Sequence, residues 1–267
     1  MALIQVNYVS NALQRTVPLQ VILPVDKLTP DGRLPAPKKY KTLYLLHGWL
    51  GNCTDWVSGT RIQRWAQERD LAVVMPSGDN AFYVDGPNPI SRYGEFIGRE
   101  LVEITRRMFP LSDKREDTFI AGLSMGGFGA LRNGLKYSDT FGAAISLSGA
   151  LDILNVPRTG EDRVLGEAMF GDLKEALLSD KNPRNLIEQL KNAETRPDIY
   201  LCCGTEDRLL SQSRTFRTLL EDAGFSVTYE EGPGGHDWDF WDTYIKKIID
   251  WLPLDELSRG RDSGNVD

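Results

Sequence analysis

A doubly wound α/β fold with a mostly parallel sheet and a small helical cap is the architecture this sequence predicts, and three observations carry it. Short, nearly continuous apolar runs at 42–46, 71–75, 118–123, 143–147 and 198–203 read as strands buried on both faces. Segments with apolar residues three and four apart follow them and read as helices packed by one face. Turns rich in glycine stand where the strands end. Regular alternation of this kind gives a parallel sheet with right-handed crossovers, and ligands then bind where the strands end.

Taken in order, 3–9 and 17–23 are strands expected to pair antiparallel, and the Pro- and charge-rich stretch 28–39 is a surface connection. Strand 42–46 runs into the loop 47–51, helix 60–69 precedes strand 71–75, and the aromatic loop 77–93, with Phe82 and Tyr83, leaves a strand end and should border the site. Helix 95–108 presents Phe96, Leu101, Ile104 and Met108 inward, and helix 125–137 presents Phe128, Leu131 and Leu135, with Gly127 and Gly129 allowing close approach to the sheet. Between 150 and 196 the alternation lapses into short helical pieces, 162–170 and 184–192, longer than a crossover needs; a cap over the site is expected there, the plainer alternative being a surface excursion. Helix 209–224, strand 227–231 and helix 238–252 complete a single domain spanning 1–254, and the polar tail from Asp255 is expected to be disordered. In the last helix Trp238, Trp241, Ile245, Ile248 and Leu252 recur at helical spacing as core, with Trp238 also near enough to His236 to wall a pocket.

Composition limits what such a fold does. In a chain of 267 residues with 41% hydrophobic content there is enough apolar surface for a sizeable core, and no repeat or low-complexity tract interrupts it. A net charge of −7 with scattered Lys and Arg argues against nucleic acid or an anionic membrane as partner. No run approaches a transmembrane span, and the first ten residues read as a strand, not a signal peptide. Two of the three cysteines are adjacent in a buried strand and make no disulfide framework, which fits a reducing cytoplasm. Composition leaves room for a homo-oligomer.

The chemistry is concentrated at Gly122-Leu123-Ser124-Met125-Gly126, between an apolar strand and a helix. A serine on such a turn has its hydroxyl lifted clear of the sheet, and the glycines two before and two after are needed because a Cβ there collides. The chain has two histidines, and only His236, in the loop 232–238, follows the serine; the plainer reading makes it a cap for the next helix. An acid must orient that imidazole. Asp207, in the loop after strand 198–203, is best placed, with Glu206 beside it and Asp152 one strand earlier as rivals. Backbone amides must face the charge that develops on a carbonyl oxygen: Met125 opens the helix after the serine, and Trp49 follows the glycine of His47-Gly48. His47 then ties the loop down. Neither a metal nor a cofactor is called for, since no zinc-type spacing such as His-Glu-x-x-His occurs.

Leu45 to Gly51 with Trp56, Val73 to Ser77 with Asn80 to Tyr83, Ala121 to Gly129, Cys203 to Asp207 and Gly235 to Trp238 together resemble the esterase D and tributyrin esterase group of α/β-hydrolases, related to carbohydrate esterase family 1. The resemblance implies Ser124 as nucleophile, His236 as base, Asp207 as acid, and Trp49 and Met125 as oxyanion amides. It implies a serine carboxylesterase acting on a small-molecule ester with a short acyl chain, acylglycerol-like or an acylated sugar, the alternatives being a feruloyl or acetylxylan esterase or an acyltransferase with a non-water acceptor. Phe82, Tyr83 and Trp238 are expected to contact that substrate. The S-formylglutathione hydrolase branch differs at the 47–51 loop, so that activity is not expected as the main one.

Overall fold

The computed structural model describes residues 1–29 and 31–256. The tail expected from Asp255 onward lies, beyond Glu256, outside the described residues. Eight strands form one sheet: β1 (Ala2–Ser10), β2 (Arg15–Leu23), β3 (Thr42–Leu46), β4 (Ala72–Pro76), β5 (Thr118–Leu123), β6 (Ala143–Leu147), β7 (Asp198–Gly204) and β8 (Val227–Gly232), in the order β1-β2-β4-β3-β5-β6-β7-β8. The first two strands pair antiparallel and β2 meets β4 antiparallel; the pairings from β4 through β3 to β8 are all parallel. Burial follows sequence: β1 alternates half-buried and exposed as an edge strand does, whereas every residue of β3 to β6 is buried, as continuous apolar runs require.

Helices cover both faces. On one side α1 (Asp55–Gly59), α2 (Ile62–Glu68) and α10 (Trp238–Trp251) enclose a core with Trp56, Ile62 and Ile245. On the other lie α3 (Tyr93–Glu95), α4 (Leu101–Met108), α5 (Met125–Lys136), α8 (Pro183–Leu190) and α9 (Leu210–Asp222), around Phe96, Phe128 and Phe216. Between β6 and β7 the chain also forms α6 (Gly160–Phe170) and α7 (Leu173–Leu178), the latter started by the Asp172 carboxylate, which accepts from the Lys174 and Glu175 amides.

The segment expected as one regular helix over 95–108 differs in a way that moves its buried face. A π-helical turn, Phe96–Glu100, joins α3 to α4. One extra residue per turn rotates everything after it. Leu101, Val102 and Thr105 face the core, while Met108, expected inside, is 43% exposed. Among the described residues no helix is long and apolar enough to cross a membrane.

Candidate active site

Ser124 stands between β5 and α5 at φ 53°, ψ −113°, a conformation that costs a non-glycine residue about 1–3 kcal/mol. The neighbouring strand holds it there: the Ser124 amide donates to the Leu147 carbonyl at 2.9 Å, and the Ser124 carbonyl accepts from Phe128 and Ala150, each at 3.1 Å. A Cβ at Gly122 would fall on the Gly126 backbone, and one at Gly126 would stand 2.5 Å from the Leu46 carbonyl oxygen. Those two glycines are therefore what lets the turn lie flat against β3.

The loop after β8 brings His236 to this turn. Its Nε2 lies 2.9 Å from Ser124 Oγ, and its Nδ1 lies 2.8 Å from Asp207 Oδ2. A carboxylate at Nδ1 keeps the proton on that nitrogen, so Nε2 is left to accept the serine proton. Asp207 is buried, and its other oxygen accepts the Leu209 amide at 2.8 Å. Burial by itself raises the Asp207 carboxyl pKa, but hydrogen bonds from His236, the Leu209 N–H and Ser148 outweigh it and hold the group below the usual carboxylate value. The imidazole also rests edge-on against Trp241, centroids 5.0 Å apart.

The rival carboxylates are engaged elsewhere. Glu206 accepts the Gly234 amide at 2.6 Å and so braces the His236 loop, and Asp152 forms a two-pronged pair with Arg184 of α8 at 2.8 and 2.9 Å. Asp237 caps α10, accepting from the Phe240 amide at 3.0 Å. The helix-capping role open to His236 thus falls to its neighbour.

The loop after β3 abuts the serine from the other side: a Cβ on Gly48 would stand 3.6 Å from Ser124 Cβ. Neither the Trp49 nor the Met125 amide donates to a protein acceptor among the described residues. Met125 also opens a three-turn helix, whose positive end favours an oxyanion. Leu50 is 81% exposed and Trp49 about a third, forming an apolar rim.

Of the three aromatic residues expected to touch substrate, Phe82 is buried against Trp49, Phe128 and Phe170. Trp238 is half-buried, edge-on to Trp56 and Trp241 and over Gly59. Tyr83 must be corrected. It is fully buried, and its hydroxyl donates to the His47 carbonyl at 2.9 Å, so it offers no surface to a substrate. The expectation took its side chain to follow the loop to the rim; instead Phe82 and Tyr83 both have positive φ, 50° and 56°, which turns the chain back under the 47–51 loop. Phe170 is not legible as a site residue in the sequence, because an apolar residue ending a short helix carries no local sign that it will reach Phe82.

Serine, imidazole and carboxylate in this line, beside free amides, are equipped for acyl transfer. Comparison with known proteins points the same way. The chain is 43% identical over 263 residues to an acetyl esterase of Caldicellulosiruptor saccharolyticus, covering 94% of this chain and 98% of that one. Among solved structures it is similar to FphF, a fluorophosphonate-binding serine hydrolase of Staphylococcus aureus, with TM-score 0.82, 32% identity, and 94% and 98% of the two chains covered. It is also similar to an S-formylglutathione hydrolase, FrmB, of Staphylococcus aureus, with TM-score 0.81, 32% identity and the same coverage, 94% and 98%. The family described as "Putative esterase" matches residues 10–252, and the chain belongs to it: a carboxylic ester hydrolase with the α/β-hydrolase fold.

Proposed function

We propose that the chain is a serine carboxylesterase that hydrolyses short-chain acyl esters through an acyl-enzyme on Ser124. The observation that carries this reading is the unbroken line from Ser124 Oγ to His236 Nε2, 2.9 Å, and from His236 Nδ1 to Asp207, 2.8 Å. His236 takes the serine proton as the hydroxyl attacks the ester carbonyl. Asp207 stabilises the imidazolium, and the Trp49 and Met125 amides receive the oxyanion. The imidazolium then protonates the leaving alcohol, and the same nitrogen deprotonates the water that releases the acid.

A small acyl group is favoured by what lies under the oxyanion loop. Trp49 packs on Phe82 at 5.7 Å between ring centroids, and Phe82 on Phe128 and Phe170 at 5.6 and 5.3 Å, so aromatic rings occupy the volume a long chain would need. The acetyl esterase relative agrees with that size. The likeness to a structure described as an S-formylglutathione hydrolase makes a formyl thioester the second substrate to try, its acyl group being smaller still.

Acid quenching during turnover of p-nitrophenyl acetate, followed by peptide mass analysis, tests the mechanism. An acetyl adduct on the Ser124 peptide is expected, with turnover falling as the acyl chain lengthens from acetate to octanoate. Turnover with no adduct at any quench time, including under single-turnover conditions, contradicts the acyl-enzyme; equal rates for acetate and octanoate contradict the small pocket.

A further inference from the structure

The loop that supplies the Trp49 amide is held from beneath by a fully buried side chain that is hydrogen-bonded to its first residue. We propose that Tyr83 is a positioning residue for the oxyanion hole. Its buried phenol fixes the His47 carbonyl and, through His47, the peptide whose N–H faces the reacting carbonyl. The inference rests on the acyl-transfer reading and adds to it a residue outside the serine, histidine and acid.

The geometry begins at His47, which is buried among the strand ends. Its Nε2 accepts the Gly78 amide at 2.8 Å, so the ring proton sits on Nδ1 and is donated to the Gly48 carbonyl at 2.7 Å. That carbonyl also accepts the Gly51 amide at 3.2 Å. In a trans peptide the C=O and N–H point opposite ways. Pinning the Gly48 carbonyl on the imidazole therefore turns the Trp49 N–H away from it and leaves that donor available. Burial lowers the His47 pKa, which favours the neutral ring this arrangement needs.

Tyr83 sets where His47 stands. Its hydroxyl donates to the His47 carbonyl at 2.9 Å and its ring meets the imidazole edge-on at 5.8 Å. Room for that ring is made by Gly78 and Gly129, since a Cβ on either would fall on it. The Tyr83 carbonyl in turn accepts from Asn133 Nδ2 at 2.9 Å, and the same nitrogen donates to the Gly129 carbonyl at 2.8 Å. Gly129 and Asn133 both belong to α5, the helix that opens with Met125. One phenol thus registers the Trp49 donor to the helix that already carries the nucleophile and the Met125 donor. A site that must place two amides on one oxygen needs such a link, because a misplacement of about 1 Å can cost on the order of a hundredfold in rate.

Tyr83→Phe keeps the ring and deletes only the hydroxyl. The test compares each enzyme on an oxyester and on the thionoester with the same acyl and leaving groups. Sulfur accepts hydrogen bonds poorly, so the ratio of the two rates reports the oxyanion contacts, and, being a ratio, it does not depend on how much of the variant is folded. Expected for Tyr83→Phe is a fall of about tenfold or more in kcat/KM on the oxyester and a comparable shrinkage of the oxygen-to-sulfur ratio. Tyr137→Phe, which removes a buried phenol that has no hydrogen-bond partner among the described residues, is expected to leave that ratio unchanged. A ratio in Tyr83→Phe within about twofold of the parent overturns the inference alone. A parent enzyme with no preference for oxygen overturns the oxyanion reading itself, and the inference with it.

Discussion

Gly122 and Gly126 close on each other across the Ser124 turn, so near that a Cβ built on Gly122 falls on the Gly126 backbone. The contact sets β3, β5 and the start of α5 at one distance, because Gly126 also faces the Leu46 and His47 carbonyl oxygens, which a Cβ would meet at 2.5 and 2.6 Å. All of these are backbone atoms and none can swing aside. Gly126→Ala is expected to cost about 2 kcal/mol, or roughly 6 °C in Tm, as overpacking does. Since the Leu46 carbonyl ends β3 and the His47 carbonyl opens the oxyanion loop, kcat should fall by about tenfold or more. Thermal melts and initial rates check both; unchanged values in each would mean the turn is looser than this geometry.

The acid can be identified by exchanging charge for an amide at two places. Asp207→Asn keeps the shape but presents a group that no longer favours the proton on His236 Nδ1, and turnover should drop by about 10⁴ with little change in Tm. Asp152→Asn weakens the pair with Arg184, whose partners are both partly exposed, and is expected to cost no more than about 1 kcal/mol and to leave turnover within about threefold. Equal losses in the two variants would contradict the assignment.

Much of this was legible in the chain because the signals are local. Continuous apolar runs marked β3 to β7, and glycines spaced two residues either side of Ser124 marked the sharp turn. What escaped depended on distant partners. The π-helical turn at Phe96–Glu100 has no motif of its own, and Met108, the last residue of the helix that follows it, is exposed where regular spacing placed it inside. Tyr83 reads as a rim residue until its positive φ and the Asn133 side chain, far along the sequence, turn it under the loop. Position in the sequence leaves three candidates for the acid, and what separates them is where each carboxylate finds its partner: Asp207 at His236 Nδ1, Glu206 at the Gly234 amide and Asp152 at Arg184.

The segment between β6 and β7 is fastened to α5 through a buried charge. Arg132 is only 1% exposed and donates to the Asp180 carboxylate at 2.6 Å and to the Asp180 carbonyl at 3.0 Å. Burial raises the Asp180 carboxyl pKa, but Arg132 and Lys136 more than offset this and hold it below the usual value. Asp180→Ala would leave the guanidinium buried without its carboxylate. Because Asp180 is itself partly exposed, a loss of roughly 2 kcal/mol is expected, less than for a fully buried pair. A depressed folded pKa means this stabilisation is present above about pH 4 and is lost as pH falls below it. Urea melts of the two proteins should therefore converge at low pH; a constant gap down to the acid limit would contradict the pairing.

His47 gives a second pH dependence of known sign. Its folded pKa lies below the ordinary histidine value because the ring is buried. The unfolded chain takes up a proton near about pH 6.5 that the folded chain still refuses, so stability is full above that pH and declines below it. In a His236→Gln background His47 is the remaining histidine. Tm should fall between pH 7 and pH 5, where few carboxylates titrate. A flat profile there would contradict a buried neutral ring.

Turnover of p-nitrophenyl acetate by Ser124→Ala, beside the parent enzyme, tests the central claim most directly. If the Ser124 hydroxyl is the group that receives the acyl chain, the rate falls on the order of a millionfold, to the level left by binding and the amides alone. A variant that keeps its rate within about tenfold of the parent would show that the acyl group is carried elsewhere.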